Sequence, residues 1–317
     1  MLNRRPIAAV FTVGGAAFFL LCGYEFARSV STSLFIGAYG AERLPIVMAL
    51  SPVGTLLFIY VYSRMLSRIG AQLTLFFTSI LSGLGIAACY VAISAGFAVA
   101  VGVVYVLREA YIVLLIEQYW SFINSTLDGK EARKYNGPIC GIASVGAISG
   151  GMVVGQVAQT LGSELLLLFA AASLVPAAAL AFLAYRLGGE PAPAKKGESN
   201  KGELGLGLFG QYPTLALLAI LIVLTQLMAA VLELRFNGLL EEAMLTKDAR
   251  TAFLGNFYAV LNGAAFVLQF GAAPLLLRYV PLRLVHAGIP LVHLATSVVL
   301  LFYPVMAVGA GAYLIFK

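Results

Sequence analysis

Nine apolar runs, each close to the length that crosses a bilayer, constrain this chain more than any other feature. A helix rises about 1.5 Å per residue, so about 20 residues span the roughly 30 Å of hydrocarbon. The runs cover approximately 6–27, 44–62, 73–93, 98–122, 139–161, 165–187, 212–236, 254–277 and 286–303, and a last piece, 304–317, is too short to cross. Composition points the same way. The chain is 61% hydrophobic and 11% charged, with a mean hydropathy of +0.95, where soluble domains are about 45–50% apolar. The expected fold is all-α and polytopic, with the lipid bilayer as its first partner.

The first run follows basic residues, as the core of a secretory leader would, and Leu20-Leu21-Cys22-Gly23 within it resembles a lipoprotein cleavage site. It is long for a leader core, and leucine stands before Cys22 where a small residue is required, so it is read as a retained helix. Orientation follows from the basic connections. With the N-terminus inside, Arg4 and Arg5, Arg64 and Arg68, Lys130, Arg133 and Lys134, Lys195, Lys196 and Lys201, and Arg278 and Arg283 all face the cytoplasm. The exception is Arg235 to Arg250, which is diluted by Glu241, Glu242 and Asp248.

The segment between the sixth and seventh runs, GGEPAPAKKGESNKGELGLGLFGQ, is rich in Gly, Pro and charge. It predicts a cytoplasmic linker. The layout is then a six-helix bundle over 1–187, a linker over 188–211 and a partial second bundle over 212–317. That is the plan of a transporter built from two six-helix halves, with the second incomplete. The expectation is that the sequence is a piece of a longer protein.

Charges within apolar runs carry the chemistry, because each costs at least about 2.5–3.5 kcal/mol at the membrane centre. Arg108 and Glu109 stand near the middle of the fourth run. Neighbours on a helix point about 100° apart, so each is expected to need a partner on another helix. Arg108 is either an anion contact, its planar fork suited to phosphate or carboxylate, or half of a structural ion pair. Glu25 with Arg28, and Glu233 with Arg235, form an echo between the first and seventh runs, placed near their outer ends. They are candidate site residues or helix-end anchors. The fifth run has glycine pairs at four-residue spacing, Gly137/Gly141, Gly146/Gly150 and Gly151/Gly155. Such faces allow close helix approach, for static packing or for sliding.

Other classes are excluded by what the residues cannot do. The net charge of +6 forms no basic stripe with interleaved aromatics, so nucleic acid is not an expected partner. Cys22, Cys89 and Cys140 lack CxxC spacing and neighbouring histidines, so no metal site is expected. His286 and His293 are read as interfacial or packing residues. Gly129-Lys130 is followed by Glu131 and lacks the upstream glycine of a phosphate loop, so the chain is not expected to hydrolyse ATP or act as an enzyme, and no cofactor is implied. The sequon Asn124-Ser125-Thr126 falls on the cytoplasmic side, where it is not modified.

Three segments carry a family resemblance. The stretch with Gln118-Tyr119-Trp120-Ser121, Asn124, Asp128, Glu131-Ala132-Arg133-Lys134-Tyr135, Gly141, Gly146, Gly150 and Gly151 resembles the helix-four-to-five signature of the ATP:ADP antiporter family of plastid and intracellular-parasite type, a branch of the major facilitator superfamily. Ser33-Leu34-Phe35 with Gly40-Ala41-Glu42-Arg43-Leu44-Pro45 resembles that family's exit from helix one, and Phe253 to Asn262 with Gln269 resembles its helix eight. The basic segment around Arg64 and Arg68, ahead of Gly70, resembles the superfamily's cytoplasmic loop that braces helix ends in one conformation. One departure stands out. The family's helix seven carries an acidic-aromatic-polar-aromatic run, and here the residues are Glu233-Leu234-Arg235-Phe236.

The resemblance implies a major facilitator-like fold and a secondary transporter exchanging nucleotides or related phosphorylated anions by alternating access. Arg28, Arg108 and Arg235 are then candidate anion contacts, with Glu25, Glu109 and Glu233 balancing them. Gln118, Asn124 and Asn262 are candidates for the base or sugar, and Arg64 and Arg68 for a conformational loop. The expected location is a bacterial inner membrane with the N-terminus cytoplasmic. Two other readings stand beside this one: a transporter of another organic anion or proton-coupled solute, and a non-transporting membrane scaffold or sensor.

Overall fold

The computed structural model describes residues 5–189 and 210–317. The expected linker falls almost wholly outside these residues, as do Arg4, Lys195, Lys196, Lys201 and the side chain of His286. Every regular element among the described residues is helical, and eight helices are long and apolar enough to cross a membrane. The chain is an integral membrane protein of helical type.

The order is α1 (Pro6–Tyr39), a short 3-10 turn (Ala41–Arg43), and then Leu44–Ser94, broken at Gly70 into α2 (44–69) and α3 (71–94). There follow α4 (Val99–Thr126), α5 (Gly129–Leu161), α6 (Leu166–Gly188) and α7 (Pro213–Ala243). Next, α8 (Lys247–Val267) runs through a π-helical turn (Leu268–Ala272) into α9 (Ala273–Tyr279), before α10 (Leu282–Phe302) and α11 (Met306–Phe316).

Gly70 has φ 77° and ψ 173°, a conformation that side chains disfavour. The arms on either side fold back on each other, because Gly54 of α2 and Gly85 of α3 meet the adjacent residues Val106 and Leu107 of α4. With both arms counted, the described residues hold nine apolar segments in the order the sequence predicts. The connection between the second and third segments has shrunk to one glycine, so Arg64 and Arg68 sit on the last turns of α2 and not in a loop.

Two helices extend furthest beyond their apolar runs. The first run was expected to end at 27, yet α1 continues to Tyr39. The continuation contains Ser29, Ser31, Thr32 and Ser33, all buried. Ser31 Oγ donates to the Ala27 carbonyl at 2.6 Å, and a hydroxyl satisfied in this way lets a polar-looking segment stay helical in an apolar setting. Likewise α5 begins at Gly129, ten residues before its apolar run. Asp128 Oδ1 accepts from the Lys130 and Glu131 amides at 2.9 and 2.8 Å, and Glu131 Oε2 accepts from the Asp128 amide at 3.3 Å. This capping box turns the charge-dense stretch into the first turns of a helix.

The interior is organised on α1, which packs against α4, α5, α6 and α8. Two glycine pairs of α5 make the close approaches. A Cβ at Gly146 would stand 2.7 Å from Phe18 Cα of α1, and one at Gly150 would stand 2.9 Å from Cys22 Cα. On another face, a Cβ at Gly151 would stand 2.7 Å from the Gly255 carbonyl of α8, and Gly155 abuts the Asn256 side chain. The pair Gly137/Gly141 meets Phe270 and Phe266 at ordinary contact distance, 3.8 Å. Further along, Phe236 of α7, Phe257 of α8 and Tyr313 of α11 stack on one another, with centroids 4.8, 5.2 and 5.8 Å apart. Leu56, Leu217, Ile222 and Leu301 are more than half exposed, as suits a face turned to lipid.

The two ends of the molecule differ in charge. The Arg5 amide donates to the Leu187 carbonyl at 3.0 Å, Gln72 Nε2 to the Phe182 carbonyl at 3.0 Å, and Phe11 meets Tyr135 edge-on. These contacts gather Arg5, Arg64, Arg68, Lys130, Arg133 and Lys134 at one end. The opposite end holds Glu42, Glu164, Glu241, Glu242 and Asp248 among fewer cations. There the α5–α6 turn is tied to α8: the Ser163 amide and hydroxyl donate to Asp248 Oδ1 at 2.8 and 2.5 Å, and Lys247 pairs with Glu164. The Ala41 amide also donates to Glu241 Oε2 at 2.9 Å, joining the exit of α1 to α7.

Candidate functional site

A polar cluster lies inside the helices where α1, α4, α7, α8 and α11 converge. Arg108 is 1% exposed. Its Nη1 donates to the Arg28 carbonyl at 2.6 Å and to Thr32 Oγ1 at 2.9 Å, and its guanidinium lies 4.0 Å from the Tyr105 ring. Arg28 faces the other way, 3.7 Å over the Tyr258 ring, with Nη2 donating to the Tyr313 hydroxyl at 3.3 Å. Glu25, one turn before Arg28, accepts at Oε1 from Asn262 Nδ2 at 2.8 Å.

Arg108 and Glu109 were expected to find separate partners on other helices, but they pair with each other. Arg108 Nε lies 3.2 Å from Glu109 Oε1. The Cα–Cβ bonds diverge, but the Arg chain is long enough to curl back along the helix while its terminal nitrogens reach α1. Glu109, 35% exposed, then turns into a cavity of about 520 Å³. Met48, Ser51 and Thr55 of α2 line that cavity with Tyr105 and Val113 of α4, and Glu233 of α7 enters from the far side.

The echo between α1 and α7 divides. Glu25 and Arg28, three residues apart, share a face, and both reach the cluster. Glu233 and Arg235, two residues apart, point about 200° from each other. Only Glu233 looks inward, toward Tyr105, Tyr258 and Tyr313. Arg235 is exposed and lines a separate cavity of about 410 Å³ with Glu42, Glu241 and Glu242. None of these four charges lies at a helix end, as the shorter runs had suggested. Arg28 is followed by eleven further residues of α1, and Glu233 by ten of α7.

Of the remaining candidates, Asn262 belongs to the cluster and two do not. Gln118 is buried, its Nε2 donating to Thr78 Oγ1 of α3 at 3.4 Å. Asn124 is exposed near the end of α4, about 24 Å beyond Arg108 at about 1.5 Å per residue. Arg64 and Arg68 are exposed at the basic end, with Arg64 4.9 Å from the Tyr60 ring.

The sequence reading missed the tyrosines. Tyr24, Tyr105, Tyr111, Tyr258 and Tyr313 surround the charges, and Tyr24 meets Tyr111 edge-on at 6.5 Å. A signal was there: Tyr24 precedes Arg28 by four residues, Tyr105 precedes Arg108 by three and Tyr258 precedes Asn262 by four, each pair on one helical face. Tyr313 had no such mark, since it lies on the apolar piece judged too short to cross. Among the described residues, buried atoms without a hydrogen-bond partner include Glu25 Oε2, Ser29 Oγ and Tyr111 Oη. A buried polar atom without a partner is costly and uncommon, and these three share one region with Arg108 Nε, which has the Glu109 ion pair but no hydrogen bond.

No protein-family model, characterised protein sequence or solved structure matches the chain.

Proposed function

We propose that the protein is a secondary transporter of major facilitator type that moves a small anion, of the nucleotide or phosphorylated class, by alternating access. The observation that carries this reading is the convergence of two intramembrane arginines, Arg28 and Arg108, from different helices on one tyrosine-rich interior. An arginine inside the membrane is costly to place there and is a candidate for the substrate pathway. The nucleotide class comes from the resemblance of the α4–α5, α1-exit and α8 segments to the ATP:ADP antiporter family. Tyrosine faces suit a base, and Arg28, whose hydrogen bond to Tyr313 is long, is the freer of the two cations to meet a phosphate.

Alternating access is supported by the uneven contacts across the molecule. One end is held by Ser163–Asp248, Glu164–Lys247 and Ala41–Glu241, while Gly137 and Gly141 of α5, nearest the basic end, meet Phe266 and Phe270 at ordinary contact distance without the backbone approach seen at Gly146 and Gly150. If the basic end is cytoplasmic, this arrangement is closed toward the outside. On the same rule the N-terminus lies inside, and the membrane we propose is a bacterial inner membrane.

The test is counterflow. Vesicles holding the purified protein and loaded with ADP should accumulate labelled ATP, and Arg28→Ala should abolish the accumulation. No uptake of any nucleotide by folded, inserted protein would sink the nucleotide reading. A second reading, a proton-coupled solute carrier, is favoured by two carboxylates lining one cavity, Glu109 and Glu233, and by the unsatisfied oxygen of Glu25. It expects a pH gradient to drive uptake where counter-substrate does not.

A further inference from the structure

Glu25 is unlike the other interior carboxylates. Glu109 pairs with Arg108 and faces a cavity, and Glu233 lines that same cavity. Glu25 is 2% exposed, and among the described residues no cation forms an ion pair with it. Its Oε1 takes one hydrogen bond, from Asn262, and its Oε2 takes none.

The neighbouring cations are engaged elsewhere. Around Glu25 stand Cys22, Tyr24 and Arg28 of its own helix, Arg108 and Tyr111 of α4, and Tyr258 and Asn262 of α8. Arg28 is turned onto the Tyr258 ring and the Tyr313 hydroxyl. Arg108 is spent on the Arg28 carbonyl, Thr32 and Glu109. A carboxylate at this depth with one bare oxygen and no paired cation carries the cost of a buried charge, whereas a neutral carboxyl keeps the Asn262 contact at Oε1 and leaves one O–H donor without a partner, the smaller of the two penalties.

We propose that Glu25 is a proton-binding site, neutral in the arrangement seen here and charged when α1 and α8 separate. The proton resides on Oε2 while Oε1 keeps the Asn262 contact. When the α1–α8 seam opens to water, the proton passes to water and the carboxylate left behind draws the Arg28 guanidinium one turn back along α1. That movement withdraws Arg28 from Tyr258 of α8 and Tyr313 of α11. Proton release and loss of two contacts between α1 and the later helices are therefore one event. This deepens the transporter reading by naming a coupling ion, and it rests on that reading only for what the proton drives.

Infrared spectroscopy of the purified protein in lipid vesicles at neutral pH tests the site without any substrate. The wild type should show the C=O stretch of a protonated carboxyl, moving to lower frequency in heavy water. Glu25→Gln, which keeps the shape and the acceptor for Asn262, should lose that band, and Glu109→Gln should keep it. Asn262→Ala should move the band to higher frequency, because the carbonyl loses its donor. A wild type without the band, or a band that survives Glu25→Gln, overturns the proposal. If Glu25→Gln does not fold, the Asn262→Ala spectrum decides, and an unmoved band is again fatal. A band that behaves as stated in protein that exchanges no nucleotide would leave the proton site standing and the nucleotide reading rejected.

Discussion

The side chain of Arg108 on α4 is fastened to the backbone of Arg28 on α1, with Nη1 2.6 Å from the Arg28 carbonyl and 2.9 Å from Thr32 Oγ1. One arginine thus positions the helix that carries the other. Arg108 is a clamp held by two neutral acceptors and one carboxylate, while Arg28 has only a ring face and a hydroxyl at 3.3 Å.

The two arginines should therefore respond differently to lysine. A lysine at 108 offers a single ammonium that cannot serve the Arg28 carbonyl, Thr32 and Glu109 from one position. Arg108→Lys should destabilise by about 1–3 kcal/mol, the cost of leaving buried polar groups unsatisfied. Arg28→Lys should leave the melting temperature in detergent nearly unchanged and instead remove the stabilisation that ATP or ADP gives the wild type. Thermal unfolding with and without nucleotide measures both. Equal losses of stability in the two variants would show that Arg28 is structural.

Arg235 provides the contrast within the same assay. It is exposed beside Glu42, Glu241 and Glu242, away from the other two arginines. Arg235→Ala should keep nucleotide stabilisation within about twofold of the wild type, and a loss as large as that of Arg28→Lys would mean that the anion site extends toward the acidic end.

The glycines of α5 separate rigid contact from yielding contact. A methyl at Gly146 would collide with Phe18 backbone, which cannot move without displacing α1, while the atoms nearest a methyl at Gly155 all belong to the Asn256 side chain, which can rotate away. Gly146→Ala should lower stability by several kcal/mol, in the range of overpacking with backbone shifts, about 1–3 or more. Gly155→Ala should cost less than about 1 kcal/mol yet slow transport, because it alters the α5–α8 crossing. Unfolding midpoints and initial uptake rates for the two variants check this, and the reverse order of stability would contradict it.

Much of the helical order was legible because hydropathy runs report burial in lipid directly. What escaped was what hydropathy treats as interruption. Ser29, Ser31, Thr32 and Ser33 read as the end of a helix, yet side-chain to main-chain bonding carries α1 on to Tyr39, moving Glu25 and Arg28 from the apparent edge to the interior. The charged residues from Lys130 to Lys134 read as a loop, and the Asp128 capping box makes them helix. The two-residue spacing of Glu233 and Arg235 carried a signal that went unused, and helical angle misled for Arg108 and Glu109, because it fixes where a side chain starts and not where a four-atom arm ends. The role of Tyr313 was invisible for a different reason: its contacts come from helices more than fifty residues away in sequence.

At the acidic end, Asp248 accepts from both the amide and the hydroxyl of the fully buried Ser163, whereas Lys247 and Glu164 form a half-exposed pair. The buried contact should outweigh the exposed one. Lys247→Ala should change stability by less than about 1 kcal/mol, as exposed ion pairs do. Asp248→Ala should cost about 1–3 kcal/mol by leaving the Ser163 amide without its acceptor, and it should loosen this end. Spin labels at Thr160 and Leu245 should then show a longer and broader distance distribution. An unchanged distribution would mean that the Ser163–Asp248 contact does not hold the end shut.

The side of the membrane on which each end lies can be read with single cysteines in a background lacking Cys22, Cys89 and Cys140. Ser67 stands between Arg64 and Arg68 on the basic end, and Leu245, 88% exposed, stands in the α7–α8 turn on the acidic end. Basic residues are retained on the cytoplasmic side because translocating them is unfavourable. A membrane-impermeant maleimide added to intact cells should therefore label Leu245→Cys, and should label Ser67→Cys only after permeabilisation. The opposite pattern would invert the protein. The Ser163–Asp248 contact would then close the cytoplasmic side, and the interior around Arg28 would be reached from outside.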